Sequence, residues 1–145
     1  MSASAFIDTN IIVYLFDSRS AHKQSAAAEL LQRLADDETS VVISTQVLQE
    51  AYAALTRKLR MDPGEALAAL QMMEAAAFQV HPVDTALVWR GAQRSVDNGL
   101  SFWDALIVEA AIEAGCATLY SEDLQSGRRI DDLVVVNPFI RSPAS

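Results

Sequence analysis

An α/β domain built on a parallel sheet is the fold this sequence predicts. Three observations predict it: short apolar runs of strand length, longer amphipathic segments between them, and a composition that is 51% apolar with only 5 Gly and 4 Pro in 145 residues. That composition suits a helix-rich globular chain with a sizeable core. Short buried strands alternating with amphipathic helices imply a parallel sheet with helices on both faces. No internal repeat, low-complexity tract or linker interrupts the pattern, so residues 1–145 read as one domain.

The elements follow in order. Ala5-Phe6-Ile7-Asp8 is an apolar run ending in a carboxylate, which suits a buried strand. Asn10 to Phe16 reads as a short helix or turn, closed by Asp17-Ser18-Arg19. Ala27, Leu30, Leu31 and Leu34 keep helical spacing through Ala21 to Leu34, and Asp36-Asp37-Glu38 ends that helix. Val41-Val42-Ile43 is short and β-branched, a second strand. Thr45 to Leu59 is helical, with Val47, Ala51, Ala54 and Leu55 on one stripe. At Asp62-Pro63-Gly64-Glu65 the acid caps, proline takes the first helical position and Glu65 completes a capping box, starting a helix to about Ala76. Phe78-Gln79-Val80 is a third strand, and Asp84 caps a helix through about Val96. Ser101 caps the next, Phe102 to Ala114, and Gly115 stops it. Ala117 to Tyr120 and Leu133 to Val136 supply strands four and five.

A single cysteine, Cys116, cannot form an intrachain disulfide, which points to a reducing cytoplasm. The N-terminus has no basic lead or long apolar stretch, and no run is long enough to span a membrane. The net charge of −8 argues against nucleic acid as a partner, because phosphate binding is driven by Lys and Arg. Two circumstances reverse that argument: acids clustered around bound cations, or a basic protein partner covering the acidic face.

Four acids stand out. Asp8 follows the first strand, at the carboxyl edge where open α/β sheets bind ligands, although a turn residue bonding its own backbone would look the same. Glu50 falls at the edge of an apolar helical stripe, as an ordinary boundary glutamate also would. Asp104 completes Ser101-Phe102-Trp103-Asp104, which is a capping box, yet it shares a face with Ile107 and Ala111. Asp123 follows the fourth strand, where a turn beginning at Ser121 is the alternative. Together the four lie at two strand ends and in the early turns of two helices, places that can face one crevice. Oxygen donors of this kind hold hard divalent cations. His22, His81 and Cys116 form no zinc-like spacing. A haloacid-type phosphatase would need an acid at Asn10, a phosphoacceptor receiver domain would need an acid pair and a late lysine, and a nucleotide-binding module would need a glycine-rich loop; none is present.

These residues carry a family resemblance. Phe6-Ile7-Asp8-Thr9-Asn10, Gln49-Glu50, Trp103-Asp104-Ala105-Leu106-Ile107-Val108 and Leu119-Tyr120-Ser121-Glu122-Asp123-Leu124 together resemble the PIN-domain signature. The closing Asn137-Pro138-Phe139 resembles the tail common in VapC-type toxins of toxin–antitoxin pairs. The resemblance implies a three-layer PIN-like fold with five parallel strands in the order 3-2-1-4-5, and endoribonuclease activity dependent on Mg²⁺ or Mn²⁺. It implies Asp8, Glu50 and Asp104 as core acids, with Asp123 the fourth and Glu122 an adjacent substitute. Asp8, Asp104 and Asp123 would be metal ligands, Glu50 a ligand or a water-orienting group, and Thr9 and Ser121 polar helpers. It further implies an RNA substrate, a homodimer and a small antitoxin partner, the alternative being a PIN-like domain that serves as a non-catalytic interaction module. Local basic patches lie at Arg57-Lys58-Arg60, Arg90 with Arg94, and Arg128-Arg129. Arg90 and Arg94, four apart on one helix, are candidates for RNA contact.

Overall fold

In a computed structural model that describes residues 3–140, twelve elements follow one another. They are β1 (Ser4–Ile7), α1 (Thr9–Tyr14), α2 (Ala21–Asp36), β2 (Ser40–Ser44), α3 (Thr45–Arg57), α4 (Pro63–Ala75), β3 (Gln79–His81), α5 (Thr85–Asn98), α6 (Phe102–Glu113), β4 (Thr118–Tyr120), β5 (Arg129–Ile130) and β6 (Leu133–Val136). Residues 1–2 and 141–145 of the expected single domain lie outside the described residues. Among the described residues no helix is long and apolar enough to cross a membrane.

Helix starts follow the predicted chemistry. Asp62 accepts from the Gly64 and Glu65 N–H groups, Asp84 from Leu87 and Ser101 from Asp104, satisfying donors that the first turn leaves free. Gly99 ends α5 in the left-handed region at φ 67°, which glycine adopts without a Cβ penalty.

The sheet runs β3-β2-β1-β4-β6-β5. Every pairing is parallel except β5 with β6. The expected order 3-2-1-4-5 therefore holds once β6 is read as the fifth strand, and one strand must be added. β5 is a two-residue edge strand that returns against β6 through Asp131-Asp132. It carries no apolar run, because its backbone pairing and the burial of Ile130 alone define it.

The order reverses between β1 and β4, which pair in register with Ile7 opposite Tyr120. Strand-end loops diverge at such a reversal and leave a crevice. Phe6, Ile7, Ile43, Leu119 and Val135 are buried on the strands. Ile11, Leu30, Leu55, Leu87 and Ile107 cover them from the helices. Each such side chain contributes about 1.5–3 kcal/mol by leaving water. Helix α6 is enclosed over Ala105–Ala111, including Glu109. Its close approach to α5 is made at Gly91, where a Cβ would lie 2.7 Å from Leu106 Cδ2.

Candidate active site

The crevice at the β1/β4 edge is built from two loops that lace together. Asp8 leaves β1 and is buried; its N–H donates to the Tyr120 carbonyl at 3.0 Å, continuing the ladder one step past the strands. One Asp8 oxygen accepts from the Thr9 N–H at 2.7 Å, the other from the Ser121 hydroxyl at 2.6 Å. Ser121 in turn accepts from the Asp123 N–H at 3.1 Å. Asn10 closes the second link: its amide donates to Asp123 Oδ2 at 3.1 Å, and its oxygen accepts from the Glu122 N–H at 3.2 Å.

The other two acids come from helices. Glu50, half-buried on α3, accepts from the Thr9 hydroxyl at 2.8 Å. Gln46, one turn earlier and buried, donates to Glu50 Oε2 at 3.4 Å and to the Trp103 carbonyl at 3.1 Å. It thereby ties α3 to the first turn of α6, where Asp104 stands. Both acceptors require the amide nitrogen, which leaves the buried Gln46 oxygen without a partner among the described residues.

The acids feel one another. Burial, foremost, pushes the Asp8 carboxyl up to about 6; the Ser121 and Thr9 hydrogen bonds oppose this, and the charges of Asp123 and Glu50 add to it. Asp104 is also raised, by burial first, with the Ser101 hydrogen bond opposing and Asp123 and Glu50 again raising. Among the described residues, no Lys, Arg or His pairs with Asp8, Glu50, Asp104 or Asp123. Nor do any three of the described His, Cys, Asp or Glu side chains already close into an ion-holding group. A set of uncompensated carboxylates with oxygen donors only fits a hard divalent cation, which would supply the missing positive charge and draw the acids inward.

The structure thus brings Asp8, Thr9, Glu50, Asp104, Ser121 and Asp123 to one crevice. Glu122 lines the same cavity, but its carboxylate is engaged by Lys23 and by the Tyr14 hydroxyl, while Phe139 packs edge-on against Tyr14. Asp123, and not Glu122, is the neighbour whose charge helps raise Asp8 and Asp104. Arg90 and Arg94 do not join the site. They pair with Glu109, Glu113 and Asp131 toward the far end of α6. Sequence reasoning passed over Asn10 and Gln46 as site residues. Gln46 could have been found, since residues four apart on a helix share a face and Gln46 precedes Glu50 by four.

The family model for the PIN domain matches residues 5–132. No curated protein matches the chain. Among solved structures, Mycobacterium tuberculosis VapC20, described as a sarcin–ricin-loop-cleaving toxin, is 22% identical with a TM-score of 0.65, over 82% of this chain and 91% of that one. A chain of Rickettsia felis VapBC2, bound to a DNA fragment from its promoter, is 18% identical with a TM-score of 0.66, over 91% of this chain and 96% of that one. A chain of a Klebsiella pneumoniae toxin–antitoxin complex gives 19% identity and a TM-score of 0.66, over 92% and 97%. At these identities the solved structures show a common fold. With the family model spanning most of its length, and the acids set at the β1/β4 reversal, the chain belongs to the PIN domain family.

Proposed function

We propose that this protein is a metal-dependent endoribonuclease that hydrolyses RNA phosphodiester bonds and acts as the toxin of a toxin–antitoxin pair. The observation that carries the reading is the gathering of Asp8, Glu50, Asp104 and Asp123 without a basic counter-charge among the described residues, around a hydrogen-bonded frame of Thr9, Asn10 and Ser121. Such a frame fixes carboxylates that would otherwise repel one another. It suits a site where something cationic is to be held.

In this reading Asp8, Asp104 and Asp123 would hold Mg²⁺ or Mn²⁺, which when bound would supply a water of lowered pKa and neutralise charge on the phosphate oxygens. Thr9 and Ser121 orient the carboxylates by donating to Glu50 and Asp8. Glu50, with one oxygen on the Thr9 hydroxyl and the other near the Gln46 amide, would join the ligands or orient the attacking water. The partner follows from charge. A chain of net charge −8 with acids at its cleft is complementary to a small antitoxin that presents Arg or Lys there. The solved relatives include toxin–antitoxin complexes, which supports that partner. The toxin would act in the cytoplasm, as a homodimer.

Cleavage of RNA by the purified protein tests the reading. EDTA should abolish it, Mg²⁺ or Mn²⁺ should restore it, and Asp8→Ala should fall at least about a hundredfold, the scale on which a positioned electrostatic group acts. Undiminished cleavage in EDTA would contradict the metal reading; absence of cleavage with either ion would favour a non-catalytic module.

A further inference from the structure

The crevice does not end at the acids. A cavity of about 490 Å³ begins at Thr9, Asn10, Glu50, Asp123 and the Lys23-paired Glu122 and runs between α1 and α3 to Asp17 and Lys58. A second cavity of about 470 Å³ shares Asp17 and Lys58 and continues past Arg19 to Arg60. The two cavities adjoin at Asp17 and Lys58, so an acidic lining and a cationic lining lie end to end. Glu50 on α3 and Lys58, which caps its C-terminal end, are eight residues apart, about 12 Å along the helix axis.

The cationic end carries Arg19, Lys58 and Arg60 against one carboxylate, Asp17. Asp17 is buried and holds Arg19 through two parallel hydrogen bonds at 2.9 and 3.1 Å, so that guanidinium is fixed in place. Lys58 and Arg60 are exposed and make no ion pair among the described residues. A cation at the end of α3 suits the helix dipole, which accounts for Arg57 and Lys58. It does not account for Arg60. That residue lies beyond the helix, in the left-handed region at φ 55° that non-glycine residues seldom adopt, and lines the same groove. The cavity at Arg90 and Arg94 has the opposite balance, two cations against Asp97, Glu109 and Asp131. In a chain of net charge −8, a patch with two cations in excess at the mouth of the acidic groove is selective placement.

We infer that Lys58 and Arg60, beside the fixed Arg19, form a phosphate-binding subsite that holds the RNA strand a few nucleotides away from the bond at the acids. The inference rests on the ribonuclease reading for its substrate. Backbone contacts of this kind position a strand without reading its sequence.

The test is binding of a single-stranded oligouridylate to the full chain in EDTA, across a salt series, beside cleavage of the same RNA in Mg²⁺. Lys58→Gln/Arg60→Gln should bind about 25-fold more weakly at 0.1 M salt, and its slope of log affinity against log salt should be shallower by about 1.4, since each lost phosphate contact on a single strand changes that slope by about 0.7. KM for RNA should rise. The exposed pair Arg33→Gln/Arg129→Gln makes the same change in net charge outside the groove and should bind as wild type. Equal weakening by both pairs, or wild-type affinity in the groove pair, would overturn the subsite. So would loss of binding to a polyglutamate peptide with RNA binding intact, which would assign the patch to an acidic protein segment. If wild type binds RNA through this pair yet cleaves none, the subsite stands and the hydrolase reading fails. If it cleaves RNA and the groove pair binds normally, the reverse holds.

Discussion

Asp8 illustrates what a single carboxylate contributes and what it costs. It is buried, it accepts hydrogen bonds on both oxygens, and its carboxyl still titrates at about 6 because burial outweighs those bonds. Between about pH 4 and pH 6 the folded, cation-free protein holds a proton on Asp8 that the unfolded chain releases. Stability therefore falls as pH rises through that window, by about 3 kcal/mol at most. Asp104, raised in the same direction, adds to the slope. Asp8→Asn should flatten it, which melting in EDTA at pH 4.5 and pH 7 would measure. A wild-type protein equally stable at both values would contradict the burial account. On the proposed reading of Asp8 as a metal ligand, cations should reverse the dependence, since a ligand must lose its proton to bind, and Mg²⁺ affinity should weaken below about pH 6.

At the scale of elements, the site depends on how closely α6 is drawn in. Gly91 lets α5 approach to the point where a Cβ would sit 3.1 Å from Leu106 Cγ and 3.4 Å from its Cα. Leu106 is buried among packed neighbours, so moving its side chain aside disturbs the core. Gly91→Val should cost at least about 2 kcal/mol through overpacking, more than its helix propensity returns. A thermal melt checks this, and a variant as stable as wild type would show that α6 can shift. Elements were legible in the sequence where local chemistry and periodicity agree. Asp62-Pro63, Asp84 and Ser101 each start the helix expected of them. β5 was not legible, because two residues at a sheet edge have no period and little apolar content. The basic pairs were half legible: spacing puts Arg90 and Arg94 on one face, but only the packing of α5 on α6 shows that Glu109 and Glu113 claim them.

Across the whole molecule, charge distribution decides more than net charge. A value of −8 read as a sum argues against nucleic acid. Resolved in space, it becomes an acidic crevice at the β1/β4 reversal and a cationic end to the same groove. The positions of Asp8 and Asp123 in that crevice were legible because each follows the carboxyl end of a strand flanking the reversal, where the crevice opens. Glu50 and Asp104 each had an equally good local explanation, and only the Gln46 bridge from Glu50 to the Trp103 carbonyl shows why α3 and α6 bring them together. Asp104 is also where ligand and cap make opposite forecasts. As a cap-turn acid it adds only about 0.3–1 kcal/mol through the helix dipole. As one of several crowded carboxylates it suffers repulsion of about 1 kcal/mol per close neighbour in water and about 4 at an effective dielectric near 20. Melting of wild type and Asp104→Asn, each in EDTA and in Mg²⁺, tests the central claim that these acids exist to hold a cation. The account predicts that the variant melts higher than wild type in EDTA. It also predicts that Mg²⁺ raises wild type by about 2.7 kcal/mol at a hundred times its dissociation constant, and the variant far less. A variant that melts lower in EDTA and gains as much from Mg²⁺ as wild type would contradict it.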